Sequence, residues 1–231
     1  GRAMTPNLVQ ANDRYRAGDD AALEEIESCL RELIEFYPVH IAKEDRHFYS
    51  HPGVNPVAVV RAFFMNIFQM RRMSGASTIT MQVAKMLEPG KRNIWSKTRE
   101  MFRALQLELR YSKKEILQLY LNLVPYGGNI EGVKAASLLY FNKNPDHLSL
   151  AEITALSIIP NKPGVMIPGK NNAFIVKERN RWLKRFAERN VFTKKEIEDA
   201  LAEPLDAKRG TVPHYIPHLS YRLKKQGGNI I

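Results

Sequence analysis

The chain of 231 residues has one cysteine, Cys29, and no uncharged apolar run of the kind that crosses a bilayer, which takes about 18 residues. A lone thiol excludes an intramolecular disulfide and a cysteine cluster around a metal. Residues 1 to 40 also lack the apolar block of a signal peptide, so any membrane anchor is expected outside this chain. Alternating apolar and polar strand patterns are scarce, no motif repeats at a fixed period, and no tract is of low complexity. Acidic residues are in deficit, 24 against 35 lysines and arginines, for a net charge of +11. The deficit is uneven: between residues 61 and 99, Arg61, Arg71, Arg72, Lys85, Lys91, Arg92, Lys97 and Arg99 face Glu88 alone. Such a field suits an anionic partner, whether nucleic acid, a phosphorylated substrate or a membrane surface.

What is present is mostly helical. Residues 20 to 36 place Leu23, Ile26, Leu30, Leu33 and Ile34 at helical spacing. Three capping boxes, Ser112/Glu115, Ser149/Glu152 and Thr193/Glu196, each open onto an apolar-periodic run. Turn residues gather at PYGGN (125 to 129), FNKNP (141 to 145) and PNKPGVMIPG (160 to 169). The expected fold class is mainly α, as a single domain over 1 to 231, with 205 to 231 a basic tail leading toward a C-terminal domain absent from this sequence.

Four stretches carry chemistry. In AKEDRHFYSHPG (42 to 53), a helix over 39 to 50 would put Glu44, Phe48 and His51 on one face, with Pro52 and Gly53 stopping it. His47 and His51 have zinc-ligand spacing, but no third ligand follows, and a packing or hydrogen-bonding role for His51 is the better reading. In GASTITMQVAKML (75 to 87), a helix capped near Ser77 or Thr78 would align Thr78, Gln82 and Lys85 beside an apolar stripe of Ile79, Val83 and Met86. Its N-terminus and lysine suit a phosphate, although an ordinary cap with a solvated polar face fits more simply. From Ser96 onward a helix would let Glu100 pair with Lys97 or with Arg103. In KKEILQLYLN, Tyr120 reads as core and Asn122 as a polar group that needs buried partners. A fifth stretch, residues 56 to 72, is very apolar yet holds Arg61 and Asn66 and ends in Arg71-Arg72; it fits a buried core helix or a flap resting in a bilayer interface.

These pieces, in this order, resemble the family 51 glycosyltransferases, the peptidoglycan polymerase domains of class A penicillin-binding proteins. Glu44, Asp45, Arg46, Phe48, His51 and Gly53 match the first family motif. Gly75, Ser77, Thr78, Ile79, Thr80 and Gln82 match the second, with Lys85 downstream. Lys97 and Glu100 match the third, with Arg92 upstream, and Ile116, Leu117, Tyr120, Leu121 and Asn122 match the fourth. HPGVNP and GASTITMQ are most similar to the 1C branch. Ser96 and Met81 depart from the usual arginine and glutamine, and the terminal motif survives only as Arg179, Trp182 and Leu183.

The resemblance implies a lysozyme-like helical domain with a small apolar, membrane-associated subdomain at 54 to 74. It implies an inverting transfer in which the 4-hydroxyl of the N-acetylglucosamine of lipid II attacks the anomeric carbon of a lipid-linked glycan strand, and undecaprenyl pyrophosphate leaves. On this reading Glu44 is the general base and Glu100 the second catalytic carboxylate, orienting phosphates or a divalent cation (Mg2+ or Mn2+), with no organic cofactor and no metal site built by the protein. Substrate contact is implied for Asp45, Phe48, His51, Ser77, Thr78, Gln82, Lys85, Arg92, Lys97, Arg103, Tyr120 and Asn122. The implied partners are lipid II, the lipid-linked strand and the membrane surface, not nucleic acid, and the implied location is the outer, periplasmic face of the bacterial cytoplasmic membrane. Two rivals stay open: a lytic murein-cleaving enzyme, which would need no pyrophosphate cradle, and a non-enzymatic basic module, which would leave Glu44 without purpose.

Overall fold

The computed structural model describes residues 33–56, 77–90, 93–127 and 130–210. Helix α1 (Phe36–Glu44) is followed by a short 3-10 turn at Phe48–Ser50, and then by α2 (Ile79–Leu87), α3 (Ile94–Arg110) and α4 (Lys113–Leu123). A two-residue crossing, β1 (Pro125–Gly127) against β2 (Ile130–Glu131), forms a small antiparallel hairpin at the PYGGN signal. Helices α5 (Val133–Phe141), α6 (Leu150–Ile158), α7 (Asn172–Glu188) and α8 (Lys194–Ala202) complete a mainly α fold. No described helix is long and apolar enough to cross a membrane.

Local chemistry starts these helices where the sequence says it should. Ser112, Ser149 and Thr193 cap α4, α6 and α8, and in each the glutamate three residues on reaches back to the cap backbone. Thr78 caps α2 through its side chain, and Asn93 does the same for α3. The core centres on α6, whose sequence LAEITALSI is apolar nearly all round and is buried from Ala151 to Ile158. Helices α1, α7 and α8 pack on α6, while α2 packs on α3 and α4. Glu152, the one acid within α6, has its carboxylate held by Lys143 Nζ at 2.8 and 3.0 Å and by the Ser149 N–H at 3.0 Å. At the far end of the described chain, Lys208 and Gly210 donate backbone hydrogen bonds to the carbonyls of Tyr140 and Leu139, pinning residues 205–210 along α5.

Two helical expectations need correction. The run over 20 to 36 does not reach α1 unbroken, because residues 33–35 form a turn, while 20 to 32 lie outside the described residues. The helix expected over 39 to 50 ends at Glu44. Asp45 leaves it at φ −154°, ψ 77°, because its carboxylate bonds elsewhere. Most of the apolar subdomain expected at 54 to 74, and the basic tail beyond 210, also lie outside the described residues.

Candidate active site

The end of α1 is tied to the start of α2 by one carboxylate. Asp45 accepts the backbone N–H of Ile79 at 3.1 Å, and the Nε2 of His51 lies 3.1 Å from both of its oxygens. An aspartate at a helix N-terminus satisfies an otherwise orphaned donor and complements the helix dipole. The Thr78 hydroxyl donates to the Gly53 carbonyl at 2.5 Å and accepts from the Met81 N–H at 3.1 Å. The first turn of α2 therefore spends two of its donors inside the protein. Asp45 thus takes one of the N–H groups expected to attract a phosphate at that terminus, and Thr78 is buried in the cap instead of lining a polar stripe.

Gly53 makes this junction possible. It has φ +83°, and a Cβ there would come within 2.9 Å of the Ala104 carbonyl oxygen, backbone that cannot give way. The loop is clamped further by Lys113, which bonds the His51 carbonyl at 2.6 Å and Glu108 at 2.7 Å and stands 4.5 Å over the Phe48 ring. Thr80 completes the network with a 2.6 Å hydrogen bond to Glu108. Phe48 itself is fully buried and packs in the core.

With that frame fixed, two clusters of charged and polar side chains face α2. At the second turn, Gln82 Nε2 donates to Glu44 Oε2 at 3.3 Å, and Lys43 is ion-paired to Glu44 Oε1. The Lys43 side chain is 2% exposed and also lies 3.4 Å from Asn161 and 5.8 Å from the Trp182 ring centre. Just before the first turn, the Ser77 hydroxyl accepts from Lys97 Nζ at 2.7 Å, and Lys97 pairs with Glu100 at 2.8 Å. Helix α2 thus carries a carboxylate cluster and a lysine cluster little more than a turn apart. A carboxylate beside one and a cation beside the other can accept a proton and hold a phosphate.

The remaining expected residues fall around these clusters. Lys85 is exposed one turn beyond Gln82 and makes no ion pair among the described residues. Arg103 does not reach Glu100; it pairs with Glu88 at 2.9 Å on the outside of the helix pair. Tyr120 is buried, and burial first, then the charge of Glu44, raise its phenol well above the usual range and keep it neutral. Asn122 finds its partner within α4, donating to the Gln118 carbonyl at 2.9 Å. Its own carbonyl oxygen lies where a Cβ on Gly132 would come within 2.7 Å, so Asn122 shapes the entry to the hairpin and α5. Arg92 and Gly75 lie outside the described residues.

Among the described residues no three histidine, cysteine, aspartate or glutamate side chains gather, and the Glu100 carboxylate is already neutralised by Lys97.

Sequence reasoning missed Lys43 and His40. Neighbouring residues on a helix do not face each other, so Lys43 gave no signal as a partner for Glu44. They meet at the last turn of α1. His40, one turn before Glu44, is fully buried with both ring nitrogens lacking a hydrogen-bond partner among the described residues, 5.5 Å edge-on from the Tyr120 ring. Burial, then the charge of Lys43, lowers its imidazole to about 3. In the unfolded chain a histidine binds its proton near pH 6.5. The stability that neutral His40 contributes is thus fully present above about pH 6.5 and is lost as pH falls toward about 3, by up to about 1.4 kcal/mol per unit. Unfolding followed between about pH 7 and 4 should show this slope, and His40→Leu should flatten it; an unchanged slope in the variant would mean other groups carry the acid sensitivity.

The pattern of the Transglycosylase family matches residues 19–187, and the chain belongs to that family. It is similar to penicillin-binding protein 1C of Escherichia coli (strain K12), 40% identical over 177 residues that make up 77% of this chain and 23% of that protein. It is also similar to penicillin-binding protein 1A of Aquifex aeolicus (strain VF5), 38% identical over 170 residues, 73% of this chain and 23% of that protein. Among solved structures, penicillin-binding protein 1A from Haemophilus influenzae aligns with a TM-score of 0.43 at 24% identity, covering 63% of this chain and 19% of that one. The chain therefore spans 23% of the length of these two curated relatives.

Proposed function

We propose that this chain is a peptidoglycan glycosyltransferase that polymerises lipid II into β-1,4-linked glycan at the outer face of the cytoplasmic membrane. The observation that carries the reading is that Glu44 at the end of α1, held by Lys43 and Gln82, and Lys97 of α3, held by Ser77 and Glu100, are both anchored against the N-terminal half of α2. Glu44 takes the proton from the 4-hydroxyl of the acceptor N-acetylglucosamine as its oxygen attacks the anomeric carbon of the donor strand. The bond to undecaprenyl pyrophosphate breaks with inversion, and the pyrophosphate leaves with the bonding electron pair. Lys97 and Lys85 neutralise the charge that accumulates on the leaving oxygens, a stabilisation that grows as the bond breaks. Lys43 balances the Glu44 carboxylate and fixes one of its oxygens, leaving the other turned toward Gln82.

Incubation with fluorescent lipid II should yield a ladder of glycan strands. Release of short fragments from preformed murein, with no ladder, would favour the lytic reading instead. Lys97→Ala and Lys85→Ala should each weaken binding of a pyrophosphate-bearing lipid about 10- to 100-fold, the size of a lost charge-assisted hydrogen bond. Glu44→Gln should bind that lipid nearly as well as the unsubstituted chain. Equal calorimetric affinities for all three variants would remove the cradle from the reading.

A further inference from the structure

Helix α3 turns one side into the protein and a very different side outward. Ala104 is fully buried at its middle, and Lys97 and Glu108 are directed to Ser77 and Lys113 on that inner side. At about 100° per residue, Trp95, Phe102 and Leu109 recur at seven-residue steps on the opposite side, with Leu105 beside them. They are 83%, 59%, 90% and 41% exposed, respectively. Along one border of this apolar stripe the same rotation brings Arg99, Arg103 and Arg110 into a row. Arg103 reaches Glu88, and Arg110 lies 5.8 Å over the ring of Tyr111. The two acids of the helix, Glu100 and Glu108, are turned away and neutralised by Lys97 and Lys113 at 2.8 and 2.7 Å.

We infer that α3 docks on an anionic lipid surface, with Trp95, Phe102, Leu105 and Leu109 entering the headgroup layer and the arginine row facing its negative charge. An exposed aliphatic and aromatic stripe bordered by arginines, with the acids removed to the other side, is how a helix lies in a membrane interface. A second copy of this chain fits less well, because a self-complementary interface through this face would set arginine rows against each other. The inference rests on the membrane location proposed above and not on the glycosyl transfer, so lipid binding and polymerisation test the two separately.

The chain has two tryptophans, so Trp182→Phe leaves Trp95 as the sole indole reporter. This variant is mixed with vesicles of phosphatidylcholine and phosphatidylglycerol carrying brominated acyl chains. Trp95 emission is expected to shift to the blue and to be quenched, more on anionic than on pure phosphatidylcholine vesicles, and less as salt is raised. Adding Phe102→Ser and Leu109→Ser is expected to weaken vesicle affinity at least tenfold (on the order of what burying two large apolar side chains contributes), with the melting temperature unchanged. Vesicle binding with Trp95 unquenched would overturn the role of α3 while leaving the membrane location standing. No vesicle binding at all would overturn both. A blue shift that depends on protein concentration without lipid, with dimers in sedimentation, would assign the stripe to a second copy instead.

Discussion

Glu44→Gln is expected to reduce glycan polymerisation about 10²- to 10⁴-fold, or about 3–5 kcal/mol in the barrier, while the fold persists. The amide keeps the shape of the carboxylate and can still meet Gln82, but it cannot take a proton from the attacking hydroxyl. It also leaves Lys43, almost fully buried, without its counter-charge, so a modest loss of stability should accompany the loss of rate. Lys43→Ala separates these effects: it removes the counter-charge but keeps the base, and it should cost stability with a much smaller fall in turnover per folded molecule. The measurement is the initial rate of strand formation from fluorescent lipid II, normalised to folded protein by circular dichroism. Turnover by Glu44→Gln within a few fold of the unsubstituted chain would take Glu44 out of the chemistry.

Asp45→Ala should be the most damaging single change to the frame. It leaves the Ile79 N–H and the Nε2 of His51 without their shared acceptor in a buried setting. At about 1–3 kcal/mol for each of the two stranded groups, a loss of about 2–6 kcal/mol is expected. For a chain of this size that corresponds to a fall of roughly 4–24 °C in melting temperature. Asp45→Asn should recover much of it, because the amide oxygen can still accept from Ile79; what it gives up is the charge at the N-terminus of α2, worth about 0.3–1 kcal/mol. Activity should follow the same order, since the peptide that carries Asp45 also fixes the end of the helix that holds Glu44. Thermal unfolding of the two variants side by side tests this, and equal melting temperatures for Ala and Asn would mean that the carboxylate bridge does not hold the junction.

Much of the fold was legible because its signals are local. A capping box needs only four residues, and those at Ser112, Ser149 and Thr193 each open a helix where expected. The same holds for Thr78, one of the two caps considered for α2, and for the buried positions of Ile79, Val83 and Tyr120. Lys97 and Glu100 meet as their i, i+3 spacing predicts. The helix over 39 to 50 failed for a reason outside its own residues: nothing in AKEDRHFYSHPG reveals that the Asp45 side chain will bond an amide 34 residues away.

What the sequence determined by itself is therefore the class of fold and the capped helix starts. The tertiary structure decided which of them meet. It put Asp45 at the N-terminus of α2, sent Arg103 to Glu88 instead of Glu100, made Lys43 the partner of Glu44, and left the apolar side of α3 facing outward. Propensity, capping and periodicity act over one or two turns of chain, whereas burial and ion pairing depend on distances in space. Those distances exist only once α1, α2, α3 and α4 have packed together.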